Sequence, residues 1–501
     1  MEEKPEILTE NRGEELNEAR TENAQRKLQK PWLWVVLVAG ILGAIIALAL
    51  ILGGASGDSS TLGNNVNDSA INWNKYEGQT IELSGSGKKT ITAAGVYTLT
   101  GKLDNGYIEV NTNGVVKLIL AGVSITNNSG PAIYVAEAKT VVIETAEGSE
   151  NILTDGSVYS GWDEDVCATL FSHDDLVLQG SGILTVYGNF EDGIVGKDDL
   201  KINSGQIEIN AKDEGIRGRD SVYIVDGELA IKAGGDAIKS NNDEEVGKGW
   251  VKIDGGRIVA EAGDDGVHAE TSLEINGGSI DITKSYEGLE AAKITINGGS
   301  ITVVSSDDGL NAAGGNDGSS PNMRQYQASS SNYAIYINGG ELYVNANGDG
   351  IDSNGALYLN GGKVIVDGPT NSGNGALDAE SEVVYNGGSV IAVGASGMAV
   401  APGSTSSKYS LSIFFGQTYS AMTEIEVRDV DGNKLFDYLP QKSFQHASLS
   451  SESFVEGATY YIYVNGEEYT SVTLSAKTTQ VGSGGGMMGP GGAPGQPGGR
   501  M

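Results

Sequence analysis

Carboxylates at a fixed spacing are the chemistry this sequence offers most openly. An acidic residue followed by Gly or Ala and then an apolar residue recurs at Asp192, Glu214, Asp236, Asp265, Glu287, Asp308 and Asp349, with steps of 22, 22, 29, 22, 21 and 41 residues. A second acid stands beside several of them, at Glu191, Asp213, Asp264 and Asp307. Three residues further on, the aligned column reads Val195, Arg217, Lys239, His268, Glu290, Asn311, Asp352 and Asp378. The early repeats can neutralise themselves with Arg217 and Lys239, whereas the repeats from Asp264 to Asp378 are read as oxygen ligands alone. If successive repeats stack as strands, about 4.8 Å apart, neighbouring carboxylates repel by roughly 3–4 kcal/mol per pair at an effective dielectric near 20. A cation is therefore expected among them. Calcium accepts mixed carboxylate, amide and carbonyl oxygens at about 2.3–2.6 Å and can bridge one strand spacing, while the smaller, octahedral magnesium fits less well. The expected metal ligands are Asp192, Asp198, Asp213, Asp220, Asp236, Asp264, Asp265, Asp307, Asp308, Asn311, Asp349, Asp352 and Asp378, holding several calcium ions. The competing reading is that Asp-Gly is a turn dipeptide whose side chain caps backbone N–H groups. It explains the glycines but not the doubled acids.

Other chemistry is thinner. The run Asp264-Asp265-Gly-Val-His268 places two carboxylates near a histidine, as a polysaccharide hydrolase needs. Arg217, Arg219 and Lys239 could serve as a base beside a bound cation, or simply pair with the acids. Trp162, Trp250 and Tyr286 are the aromatic side chains that could stack on sugar faces, with packing as the alternative. The single cysteine, Cys167, excludes an intramolecular disulfide framework and reads as a buried thiol. No nucleophile elbow, phosphate-binding loop or Cys/His metal cluster is present.

The elements that must position these groups are short strands. A second signature, Asx-Gly-Gly between apolar residues, recurs at Asp254, Asn276, Asn297, Asn338, Asn360 and Asn386. Between signatures, segments such as residues 279–283, 300–303 and 342–345 alternate apolar and polar residues, which is strand periodicity and not helical. Three short strands and three turns per 22 residues predict a parallel β-helix from about residue 80 to Pro402, with a small β cap region over 403–480 to cover its open end. Leucine-rich and calcium-binding nonapeptide repeats require patterns this chain lacks.

Composition narrows the partners. With 66 acidic residues against 32 basic ones and a net charge of -34, nucleic acid is not expected, and cations or hydroxyl-rich polymers match better. Residues 1–30 read as a cytoplasmic segment. Residues 31–55 contain an uncharged apolar run long enough to cross a bilayer as a helix, with basic residues before it, so a single-pass membrane anchor with the N-terminus inside is expected. A cleaved signal peptide is the alternative. Residues 56–70 read as a linker, 71–402 as the repeat domain and 481–501 as a Gly/Pro/Met-rich tail.

Residues 95–101 (GVYTLTG), 120–126 (LAGVSIT), 147–155 (EGSENILTD), 192–198 (DGIVGKD) and 234–240 (GGDAIKS) resemble the clostridial-type carbohydrate-binding β-helix proteins, and the resemblance covers roughly residues 72–478. It implies a right-handed parallel β-helix similar to pectate lyases. It also implies calcium and binding of plant polysaccharides of cellulose or pectic type, without established cleavage. Asp192, Asp198, Asp220 and Asp236 match that family's acidic pattern, whereas Glu214 and Ala237 depart from it. The sequence is accordingly read as a non-catalytic, cell-surface, calcium-binding polysaccharide-binding protein. The alternatives are a calcium-dependent pectate-type lyase on the same scaffold and an adhesin or envelope scaffold.

Overall fold

Apolar residues at every second position build this molecule. The computed structural model describes residues 68–313 and 332–483. In strand Gln206–Ala211, exposed and buried residues alternate without a break. The buried set, Ile207, Ile209 and Ala211, continues in the next repeats as Leu229 and Ile231, then Ile258 and Ala260, in one long core. Each repeat contributes three strands, for example Gln206–Ala211, Ile216–Gly218 and Ser221–Ile224, followed by Glu228–Lys232, Ile238–Ser240 and Trp250–Ile253. Every strand pairs in parallel with its equivalent one repeat on: Gln206 with Glu228, Ile216 with Ile238, Ser221 with Trp250. Like therefore stacks on like, and the sequence period is a packing period.

The Asx-Gly-Gly corners lock this register. Asn276 donates its amide to Asp254 Oδ1 at 2.7 Å, Asn297 to Asn276 at 2.7 Å, Asn338 to Asn297 at 2.8 Å, Asn360 to Asn338 at 2.8 Å and Asn386 to Asn360 at 2.9 Å. One amide per repeat both gives and accepts, so each corner satisfies the next. The second glycine of the corner has positive φ, 93° at Gly299, where a Cβ would sit 3.0 Å from the Gly278 carbonyl oxygen. An L-side chain is strained there on both counts.

The last parallel strand, Ser389–Gly394, does not end the sheet. Phe444–Ser450 pairs with it antiparallel, Ser410–Tyr419 pairs antiparallel with Phe444–Ser450, and Thr478–Val481 adds in parallel. Among the described residues the result is one mixed sheet of 35 strands beside a four-stranded antiparallel sheet of Ile425–Arg428, Lys434–Tyr438, Thr459–Val464 and Glu467–Thr473. Aromatic and aliphatic residues including Phe415, Phe444, Phe454 and Tyr460 form a second core between them.

This corrects the expected fold. In place of a right-handed parallel β-helix solenoid with a separate small cap and a preceding transmembrane helix, the described residues form an all-β structure dominated by a continuous mixed sheet. The physical reason lies at the edge: an exposed strand edge presents unpaired N–H and C=O groups, and here the chain pairs them with its own C-terminal strands. The membrane assignment is corrected as well. No helix among the described residues is long and apolar enough to cross a membrane. The run at residues 31–55 lies outside the described residues, and neither the membrane anchor nor the cell-membrane localisation is retained. Two short helical turns, Asp68–Ala70 and Trp73–Lys75, precede the first strand. They lie on the flank of the sheet, where Asp68 pairs with Lys201 at 2.7 Å and Trp73 packs against Val142 and Val177.

Candidate functional site

The acidic residues sit in the turn before the second strand of each repeat, with Asp192 opening that strand, and in four of them one carboxylate oxygen has a backbone task. Asp192 Oδ1 accepts from the Glu214 N–H at 3.2 Å, Asp236 Oδ1 from Asp265 N–H at 2.8 Å, and Asp308 Oδ1 from Asp349 N–H at 2.6 Å. Asp349 Oδ1 accepts from Gly375 N–H in the same way. These four acids thus cap the turn of the next repeat. The capping reading and the ladder reading describe two different oxygens of the same side chain.

The second oxygens face a column set by the middle strands, whose register places Val195, Arg217, Lys239, His268, Glu290, Asn311 and Asp352 one above another. Asp192, 1 % exposed, pairs with Arg217 at 2.6 Å. Lys239 bridges Asp236 at 2.6 Å and Glu214 at 3.0 Å. Burial opposes the charge on Lys239, but Asp236 and Glu214 outweigh it and raise its pKa. His268 lies between Asp265 at 2.9 Å and Glu290 at 2.7 Å. Burial disfavours its charged ring, yet Asp265, Glu270 and Glu290 push it up to about 12, so it acts as a fixed cation. The stretch expected to hold oxygen ligands alone from Asp264 onward is therefore shorter, because the imidazolium serves the Asp265 repeat.

Beyond Glu290 the neutralisation stops. Ligand atoms of Asp308, Asp349 and Asp352 lie within 4.8 Å of one another. Burial first, then mutual repulsion and Asp378, push Asp308 up to about 7 and Asp349 to about 8. Burial and Asp378 take Asp352 to about 6, and burial raises Asp378. Among the described residues, no ion pair to a basic side chain joins these four, and burial is the leading influence on each. In the Asp308 repeat, Asn311 is 5 % exposed and donates to Glu287 Oε2 at 2.9 Å, while its own Oδ1 is buried with no hydrogen-bond partner.

The other expected residues divide. Asp213 and Asp264 are exposed at the mouth of the turn, and Asp307 is half-buried beside Asp308. Asp198 and Asp220 belong to a different turn, after the middle strand, where Asp220 is paired with Lys248 at 2.6 Å and Asn242 at 2.6 Å. Trp250 is 2 % exposed and offers no face to a sugar. Tyr286 is exposed beside Glu287. Trp162 is half-buried in an aromatic cluster, with ring centroids 5.0 Å from Tyr107 and 5.1 Å from Tyr134, and its Nε1 donates to Ser129 O at 2.8 Å. Arg219 is tied to Glu244 at 2.8 Å. Sequence reasoning missed the ion-paired role of His268, although its alignment with Arg217 and Lys239 in the column was the available signal.

Residues 86–321 match the family model described as carbohydrate-binding domain-containing protein. A carbohydrate-binding domain-containing protein of Acetivibrio thermocellus is 36% identical over 184 residues, which make up 34% of this chain and 64% of that relative. Among solved structures, a polysaccharide lyase-like protein from C. thermocellum, determined as a gadolinium derivative, is 36% identical, with 43% of this chain and 84% of that chain covered and a TM-score of 0.38. The acidic column as far as Asp308 lies inside the matched range; Asp349, Asp352 and Asp378 lie beyond it. Over residues 86–321 the chain is similar to the carbohydrate-binding domain-containing family, and it spans 64% of the length of the Acetivibrio relative.

Proposed function

We propose that this chain binds polysaccharide without cleaving it and holds calcium in the later repeats of its acidic column. The observation that carries the metal half is the change along one column from carboxylates with a cationic partner to Asp308, Asp349 and Asp352, which have none among the described residues. A set of hard oxygen donors that includes a buried, unpartnered amide oxygen at Asn311 suits calcium. Asp308, Asn311, Asp349 and Asp352, with Asp307 and Asp378 adjacent, are the residues that would hold it, and the ion would supply charge neutralisation. The carbohydrate half rests on the family match over residues 86–321.

The lyase alternative needs a base free to take a proton. Arg217 is engaged with Asp192, and Lys239 with Asp236 and Glu214, so both act as counter-charges. Calorimetric titration of calcium into the metal-stripped full chain is expected to give heat and a higher melting temperature. Neither heat nor a shift would overturn the metal assignment. In parallel, incubation with polygalacturonate and calcium is expected to generate no unsaturated-uronate absorbance.

A further inference from the structure

One outward face of the sheet is open over part of its length only. Strands Ile183–Gly188, Gln206–Ala211, Glu228–Lys232, Arg257–Glu261 and Ser279–Ser285 run side by side. Register places Thr185, Glu208, Ala230, Val259, Asp281, Thr302, Tyr343 and Ile365 in one outward column. Ala230 is the smallest of them, and the column dips there. Over the dip lies a groove of about 410 Å³ lined by Tyr187, Glu208, Ala230, Lys232 and Glu261, among others. A second space of about 360 Å³ shares Glu208 and Ala230, and a third of about 610 Å³ shares Gln206, Glu228 and Arg257 with the second. At the other end the column is covered. Tyr343 and Tyr438 both donate to Asp367, at 2.9 and 2.8 Å, and Ile365 packs into the C-terminal core.

The geometry points to this groove as the subsite that takes a neutral glycan chain, an inference that rests on the carbohydrate-binding reading. Sugars present hydroxyl groups at their edges and C–H groups on their faces, and a matching site needs an apolar floor with convergent donors and acceptors. Ala230 and Val259 supply the floor, and Tyr187, 42% exposed, supplies an aromatic ring at one end. Glu208, Asn210 and Gln206 supply hydrogen-bonding groups along the rims. Lys232 is shared with Glu261 at 3.2 Å, so it is not a free anchor for a uronate. Glu208 and Glu228 further disfavour a polyanion. From Thr185 to Val259 the groove crosses four strands, about 14 Å at the usual strand spacing, which suits an extended oligosaccharide. All of these residues fall within the matched range 86–321.

Ala230→Tyr fills the dip, and the sheet already carries a tyrosine at the equivalent position, Tyr343. Tyr187→Ala removes an exposed ring and serves as the second variant should A230Y not fold. The full-length chain and both variants are tested for retention on insoluble cellulose and by titration with cellohexaose and with polygalacturonate, alongside melting temperatures. The expected result is cellohexaose binding by the unsubstituted chain, a loss of at least tenfold in A230Y, a several-fold loss in Y187A, and unchanged melting temperatures. If the unsubstituted chain binds glycan and both folded variants bind equally well, the groove assignment falls while the carbohydrate-binding reading stands. If it binds only polygalacturonate, the neutral-glycan assignment falls. If it binds neither polymer, both readings fall together.

Discussion

Replacing Asp349 by Asn isolates the charge that the later repeats carry without a partner. Asp308, Asp349 and Asp352 place ligand atoms within 4.8 Å of one another. At that distance and an effective dielectric near 20, each ionised pair costs about 3.5 kcal/mol. The folded-state values are raised, to about 8 for Asp349, about 7 for Asp308 and about 6 for Asp352, against roughly 3.9 in an unfolded chain. The sign follows from linkage. Groups with a raised folded pKa favour the folded state fully below their unfolded pKa, and that contribution drains away as pH rises through the folded values. Metal-free protein should therefore lose stability between about pH 4 and pH 8. Asparagine keeps the oxygen that accepts from Gly375 N–H but cannot ionise. At pH 8 without metal, Asp349→Asn should be more stable than the unsubstituted chain by about 2–4 kcal/mol, the two pair repulsions discounted for partial exposure. At pH 4 the advantage should vanish. Calcium at 100 times its Kd should return about 2.7 kcal/mol to the unsubstituted chain and distinctly less to the variant. Urea unfolding at pH 4 and pH 8, with chelator or with calcium, measures all four quantities. A variant less stable than its parent at pH 8 without metal, or one that gains equally from calcium, refutes the reasoning.

Two further outcomes test the scaffold. Arg217→Met leaves the buried Asp192 carboxylate without its 2.6 Å partner; stranding a buried charge costs about 3–5 kcal/mol, so the urea midpoint should fall clearly, and an unchanged midpoint would show that Arg217 contributes no net stabilisation. Gly299→Ala forces a side chain onto φ 93° with its Cβ 3.0 Å from the Gly278 carbonyl. More than about 1 kcal/mol should be lost, read as a lower melting temperature, while the same substitution at the open, negative-φ Gly416 should change little.

The period was legible because stacking makes the same demand in every repeat: Asn276, Asn297, Asn338, Asn360 and Asn386 had to be alike to hydrogen-bond one another. The acidic column was legible for the same reason. Its neutralisation was only half legible, since Arg217 and Lys239 advertise their charge whereas His268 becomes a cation only through Asp265 and Glu290. Asp198 and Asp220, taken from the resemblance and not from the column, stand just past the far end of short middle strands such as Ile216–Gly218, which spacing alone did not reveal. Trp250 opens a strand that pairs with Ser221, and its burial follows from that register and not from its residue type. The pairing of Ser410–Tyr419 and Phe444–Ser450 was not legible, because alternation reveals a strand but not the edge it joins. The groove over Ala230 was invisible too: a small residue matters there only because its neighbours in adjacent repeats are larger.

The two proposed sites share a turn but not a charge problem. Asn210, on the rim of the groove, stands three residues before Asp213, so the acidic turn borders the strands that floor the groove. In those repeats Arg217, Lys239 and His268 already balance the column. The unbalanced acids, Asp308, Asp349 and Asp352, belong to repeats where the outward face is passing under the C-terminal strands at Tyr343 and Ile365. Asp378 follows, in the last repeat before Ser389–Gly394 is paired antiparallel. A cation bound there would offset repulsion where the parallel stack meets its closing strands, while the groove keeps its form on its own ion pairs. On this division, if the proposed calcium is bound, chelation should weaken the C-terminal half of the molecule first and leave the groove intact.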